Sequence, residues 1–132
     1  MPYVAIVTVL ALVQFLWFGV AVGRAREKFG IKAPATTGNE VFERHFRVAM
    51  NTLEQLVLFL PALWIFAQYL SPLWASALGA IYLIGRAIYG VSYVRDPRSR
   101  SLGFALTILP TFVLFIGILY WAIRAIVSGA AM

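Results

Sequence analysis

Residues 47–70 read RVAMNTLEQLVLFLPALWIFAQYL: a polar opening with Arg47, Asn51 and Glu54, then an apolar run from Leu56 to Leu70. With Glu43 just upstream, Glu43, Arg47, Asn51 and Glu54 are four, four and three residues apart, a spacing that sets them on one face of a helix. The apolar run that follows is long enough to enter a bilayer, which a helix crosses with about 20 apolar residues. Pro61 lies within it and is expected to kink it. A carboxylate and a guanidinium leading directly into such a run are costly unless they face a bundle interior or an aqueous cavity.

Working outward, the rest of the chain repeats the apolar pattern. Pro2 to Gly23 is almost continuously apolar, with no small-residue cleavage site before a polar segment, so this first span is expected to be retained. Gly30 to Glu40, holding Pro34, Thr36, Thr37 and Gly38, has the composition of an ordered loop. The second helix is expected to begin near Asn39 or Glu40. Ser71 and Pro72 make a short turn into a third span, and Asp96 with Pro97 breaks the pattern before a fourth, which Ser99 or Ser101 is expected to cap and which contains Pro110. The expected spans are 2–23, 48–70, 73–93 and 102–127. The fold class is therefore an all-α integral membrane protein, a bundle of four transmembrane helices forming one domain over residues 1–132.

The composition agrees. The chain is 62% hydrophobic and 12% charged, with a mean hydropathy of +0.87, whereas a soluble domain is about 25% charged. Four crossings would take up nearly all of these 132 residues, so no separate soluble catalytic domain is expected within them. Without cysteine there is no disulfide, zinc thiolate, iron–sulfur cluster or cysteine nucleophile, so thiol chemistry has to come from a ligand. One histidine and five acidic residues are too few to expect a metal site.

The net charge of +6 does not point to nucleic acid, because the basic residues flank apolar spans instead of forming a face of a polar fold. Nine of the eleven lie in the first and third connections: Arg24, Arg26, Lys28, Lys32, Arg44, Arg47, Arg95, Arg98 and Arg100. Cytoplasmic loops are rich in lysine and arginine, which makes 24–47 and 94–101 the expected cytoplasmic connections.

Glu43 and Arg44 also suit an ordinary solvated helix end, and Tyr93 an interfacial aromatic belt. Arg86 is more informative. On the third span Tyr82, Arg86, Tyr89 and Tyr93 share a side, and a guanidinium between apolar turns needs a carboxylate, a carbonyl or an anionic ligand. Together with the second-helix stripe and the arginines at 95–100, this outlines a cationic cavity with apolar walls near the cytoplasmic interface. Such a cavity suits a polar anion that reacts with a lipophilic partner.

Ala25-Arg26-Glu27-Lys28-Phe29, Pro34-Ala35-Thr36-Thr37-Gly38, Phe42-Glu43-Arg44 and Arg47 through Glu54, followed by Tyr82-Leu83, Arg86, Tyr89, Tyr93 and Arg100, closely resemble the MAPEG family, membrane-associated proteins in eicosanoid and glutathione metabolism. The resemblance runs over nearly the whole chain. It implies a homotrimer with active sites between adjacent protomers, glutathione held near the cytoplasmic side and a lipophilic electrophile arriving from the bilayer. By it, Arg26, Arg47, Asn51, Glu54, Arg86, Tyr89 and Tyr93 correspond to glutathione-binding positions. Arg100 matches the arginine assigned to thiol activation in the leukotriene branch, with Tyr93 as the competing hydrogen-bond donor to sulfur.

An adjacent arginine favours the thiolate, and a position before the fourth helix adds the positive end of its dipole. Glu27 stands where the leukotriene branch has a second arginine, and Gln55 where it has a tyrosine. The general reading is preferred for that reason: a glutathione transferase with glutathione as co-substrate and no metal, possessing in addition a peroxidase capacity toward lipid hydroperoxides. The alternatives are a non-catalytic lipid-binding scaffold of the same fold and, behind it, a small multidrug exporter. The expected setting is a bacterial inner membrane.

Overall fold

The computed structural model describes residues 1–129 and is all-helical over them: α1 Pro2–Phe29, α2 Glu40–Tyr69, α3 Pro72–Arg95, a single 3-10 turn at Pro97–Ser99, and α4 Ser101–Val127. All four long helices are long and apolar enough to cross a membrane. Two of them extend well past the expected apolar spans. α1 continues through Arg24, Arg26 and Lys28, and α2 starts eight residues before residue 48. Hydropathy marks where the apolar medium ends, whereas helical hydrogen bonding continues into the polar layer.

The ends follow from local chemistry. Proline stands at the start of α1 and of α3, where its missing N–H costs nothing. Gly30 closes α1 in the left-handed conformation (φ 70°), and the Ile31 N–H returns to the Arg26 carbonyl at 3.0 Å. Asn39 caps α2, its Oδ1 accepting from the N–H groups of Val41 and Phe42 at 2.9 and 3.0 Å, while Glu43 accepts from the Gly38 N–H at 3.1 Å. Ser71 caps α3 by accepting from the Trp74 N–H. At α4 the expectation fails: Arg100 occupies the cap position, no side chain caps it, Ser101 is already inside the helix, and Ser99 donates to the carbonyls of Ser92 and Asp96. α2 and α4 run continuously through Pro61 and Pro110.

The bundle has two unlike halves. Away from the basic end, Val4, Ala11, Phe59, Leu63, Ala75, Tyr82 and Leu114 form a closed apolar core, with Phe59 stacked on Tyr82 at 3.9 Å between ring centroids. Toward the basic end the buried set becomes mixed, with Asn51, Thr52, Arg86 and Thr107 beside Phe42, Val48, Ala49 and Tyr89. There α3 and α4 approach closely through glycine. A Cβ on Gly85 would lie 2.7 Å from the Leu106 carbonyl carbon, and one on Gly103 would overlap the Tyr89 backbone. Buried threonines satisfy their hydroxyls within their own helices, Thr52 donating to Val48 and Thr107 to Gly103.

Candidate functional site

Two polar side chains at the basic end prove to be joints. Arg44 donates to the carbonyls of Val94 and Arg95 at 3.1 and 3.3 Å and to Glu40 at 2.6 Å, tying the start of α2 to the end of α3 and satisfying carbonyls that the helix end leaves open. Glu43 is held by the loop at Gly38. Both also line a hollow of about 380 Å³ that shares Arg47 and Tyr93 with the cavity beside it.

Two other polar residues of α2, Arg47 and Asn51, meet α3 and α4 around a cavity of about 450 Å³, lined by Arg47, Asn51, Tyr89, Tyr93, Arg100 and Phe104. Each helix contributes by register. Arg47 and Asn51 are one turn apart on α2, Tyr89 and Tyr93 one turn apart on α3, and Arg100 and Phe104 one turn apart at the start of α4. Tyr89 and Tyr93 stack with centroids 5.5 Å apart, and Tyr89 lies 6.4 Å from Phe104. Gly103 is what lets α4 come this close to Tyr89. The walls thus combine two guanidinium groups, an amide and two phenols with aromatic surface.

Of the residues expected at a binding site, the structure brings Arg47, Asn51, Tyr89, Tyr93 and Arg100 together in one cavity. Glu54 is next to it, accepting from Arg47 Nη2 at 2.9 Å, with side-chain exposures of 48% for Arg47 and 57% for Glu54. Arg26 is elsewhere: its Nη1 donates to the Ala35 carbonyl at 2.7 Å and its guanidinium lies 4.8 Å from the Phe42 ring centroid. Arg86 is not on the cavity wall. It is fully buried, donating from Nη1 to Asn51 Oδ1 at 2.9 Å and lying 4.2 Å from the Tyr89 ring centroid, while its Nε and Nη2 find no partner among the described residues. It touches two residues that line the cavity from behind them.

Phe104 is the lining residue that sequence reasoning passed over. Its signal was available, since it follows Arg100 by one helical turn. Arg100 itself is exposed, its one side-chain bond a long 3.5 Å contact with the Pro97 carbonyl, so the guanidinium and the uncapped start of α4 present positive potential at the same place. Chemically, the cavity can fix carboxylates with Arg47, donate through phenols, and stabilise an anion at Arg100. Among the described residues no group of histidine and acidic side chains could hold a metal ion.

The model of the MAPEG family matches residues 4–120. An uncharacterized protein of Synechocystis sp. is 48% identical over 123 residues, 91% of this chain and 90% of its own length. Human microsomal glutathione S-transferase 2 is 36% identical over 104 residues, 79% of this chain and 71% of its own. Leukotriene C4 synthase of Cavia porcellus is 35% identical over 96 residues, 73% of this chain and 64% of its own.

Proposed function

This chain belongs to the MAPEG family of membrane proteins, and from that premise we propose that it is a membrane-bound glutathione transferase that activates the glutathione thiol for attack on lipophilic electrophiles. Relatives named as a glutathione S-transferase and a leukotriene synthase support glutathione-related transfer in general. The observation that carries the finer reading is the meeting of Arg47, Asn51, Tyr89, Tyr93 and Arg100 from three helices in one cavity.

Glutathione is a tripeptide with two carboxylates, one ammonium and a thiol. In this reading Arg47 pairs a carboxylate, Asn51 hydrogen-bonds an amide or carboxylate, and Glu54 takes the ammonium. Tyr89 and Tyr93 wall the cavity on the α3 side. Arg86 acts as a positioning residue, holding the Asn51 side chain by its Oδ1 so that the amide N–H₂ remains free for the ligand.

In the same reading the sulfur lies toward Arg100. A free thiol titrates at about 8.5 and attacks only as thiolate; a fixed guanidinium and the start of α4 favour the anion, and each unit of lowering is worth about 1.36 kcal/mol. The thiol proton passes to solvent at the polar end of the cavity. The sulfur lone pair then forms a C–S bond with the electrophilic carbon, and the leaving group departs with its bonding electrons. Toward a lipid hydroperoxide the same thiolate would attack the terminal oxygen, breaking the O–O bond to release the lipid alkoxide, which solvent protonates; a second glutathione would then displace water from the resulting sulfenic acid to give the disulfide.

The single chain leaves the Arg47–Glu54 pair substantially exposed on the side of a membrane-spanning helix. Charge facing lipid is unfavourable by several kcal/mol, roughly 2.5 or more per residue, which supports cover by another copy and agrees with the homotrimer that the family resemblance implies. In that arrangement Arg26, outside the cavity of its own chain, would reach the site of an adjacent copy. The basic connections 24–47 and 94–101 face the cytoplasm, and the similarity to a cyanobacterial protein fits a bacterial inner membrane.

The test is conjugation of glutathione to chlorodinitrobenzene by the detergent-solubilised protein. Wild type is expected to turn over; Arg100→Ala is expected to lose turnover far more than glutathione binding, and Tyr93→Phe to keep most of it. A larger loss from Tyr93→Phe than from Arg100→Ala reassigns the activation to the phenol. A protein that neither binds glutathione nor turns over is the lipid-binding scaffold instead.

A further inference from the structure

A second concavity lies on the other side of α2. At about 100° per residue, His45 and Arg47 point some 200° apart around the helix, so His45 faces away from the glutathione cavity, toward α1. Two hollows adjoin there. One, of about 290 Å³, is lined by Trp17, Phe18, Val48, Gly90, Val91 and Val94 together with Ala21 and His45. The other, of about 260 Å³, is lined by Arg24, Lys28, Phe29 and Val41, again with Ala21 and His45. The shared residues make them one furrow along α1, apolar at its inner end and cationic at its outer end, with the imidazole at the junction.

The two cations are placed to receive an anion. Arg24 and Lys28 are one helical turn apart on the same face. Neither has a carboxylate partner among the described residues; Arg24 lies 5.6 Å from the Trp17 ring centroid and Lys28 Nζ 5.3 Å from that of Phe29. They also sit in the last turns of α1, at the end of the bundle where the basic residues gather and where lipid head groups begin. The apolar end is open sideways, with Trp17 and Val91 exposed by 59% and 63%.

We propose that this furrow binds an anionic phospholipid, its phosphate held between Arg24 and Lys28 beside His45 and one acyl chain lying along Trp17, Phe18, Val91 and Val94. A phosphate offers several acceptor oxygens to donors arriving from two sides, which suits a guanidinium and an ammonium one turn apart better than a single carboxylate does. A second copy of the chain is a poorer occupant, since two cations would ask it for carboxylates and Glu40, Glu43, Glu54 and Asp96, four of the five acidic residues, already accept hydrogen bonds within the chain. The site shares no lining residue with the Arg47–Arg100 cavity, and its occupation does not depend on the glutathione reading.

The test is native mass spectrometry of the full-length, detergent-solubilised protein offered equimolar phosphatidylglycerol and phosphatidylcholine with identical acyl chains. The wild type is expected to retain phosphatidylglycerol preferentially. Arg24→Gln with Lys28→Gln is expected to lower that preference by about thirtyfold, the scale of two basic residues near an anionic surface, with chlorodinitrobenzene conjugation unchanged. Removing the same charge from the third connection, by Arg95→Gln with Arg98→Gln, is expected to leave the preference in place. Ala21→Phe, which fills the furrow and keeps its charges, is expected to abolish it, and it carries the test if the double variant does not fold. Equal retention of the two lipids, equal loss from both charge pairs, displacement of phosphatidylglycerol by one equivalent of oleate, or retention unaffected by Ala21→Phe would each overturn the proposal.

Discussion

The two halves of the bundle solve different problems with the same four helices. In the half remote from the basic end, Phe59, Leu63, Tyr82, Val4 and Leu114 are fully buried against one another, and Phe59 and Tyr82 stack nearly parallel. In the other half the space between helices holds a fully buried guanidinium, an amide and hydroxyls beside Phe42, Val48 and Tyr89, and it opens into a cavity lined by two further arginines. Close packing there would leave no room for a ligand, and polar groups without a ligand or partner are costly in an apolar medium. The apolar half supplies the stability that the polar half forgoes. The contrast predicts that changes in one half move folding and changes in the other move chemistry.

The largest effect is expected from the apolar half. Phe59→Ala removes a stacked, fully buried ring and should lower unfolding stability by about 3–5 kcal/mol, read as a loss in thermal midpoint in detergent, while turnover per folded molecule stays near wild type. A comparable loss of turnover in the folded fraction would dissolve the division between halves. Next comes Arg100→Ala, expected to lower turnover at neutral pH by roughly 100-fold, as loss of a fixed charge at a developing or stabilised anion does, with little change in thermal midpoint. Because the thiol then ionises only near its ordinary range, the remaining activity should climb as pH rises toward about 8.5, a region where the wild-type profile is already flat.

Arg86 sharpens the comparison, since it belongs to the polar half and is buried as deeply as any core residue. Arg86→Met and Asn51→Ala should each weaken glutathione binding, and their double variant should fall short of the sum by about 1 kcal/mol, the coupling expected of residues in one hydrogen-bonded unit. Isothermal titration of glutathione into all four proteins measures it; strict additivity would show that Arg86 does not act through Asn51. The smallest effect is expected at the rim. Glu40→Gln breaks an exposed pair with Arg44 and should shift stability by less than about 0.5 kcal/mol, with no change in conjugation rate.

Much of this was legible in the chain. Four apolar runs separated by breakers gave the helices, and Asn39 gave the start of α2, because capping and hydropathy are local properties. The spacing of Arg47, Asn51 and Glu54, and of Arg86, Tyr89 and Tyr93, correctly set each group on one side of its helix. What spacing does not contain is the rotation of that side relative to the neighbouring helix. Arg86 and Tyr89 share a face of α3, yet only Tyr89 reaches the cavity, because the contact of Gly85 and Gly103 with the facing helix sets how α3 and α4 cross. Ser99 and Ser101 looked like caps for α4 by residue type; the 3-10 turn directs Ser99 back to Ser92 and Asp96 instead. The furrow beside His45 was missed for a similar reason. Its cations and its apolar wall come from helices that are distant in sequence.

The most direct test of the central claim is a pH titration of glutathione bound to the solubilised protein, following thiolate absorption in the ultraviolet, for wild type and for Arg100→Ala. Wild type should show thiolate forming well below the free thiol's value of about 8.5, and Arg100→Ala should return the midpoint toward that value while glutathione remains bound. The same midpoint in both proteins would contradict activation by Arg100, and a wild-type midpoint at the free value would contradict thiolate stabilisation by this cavity.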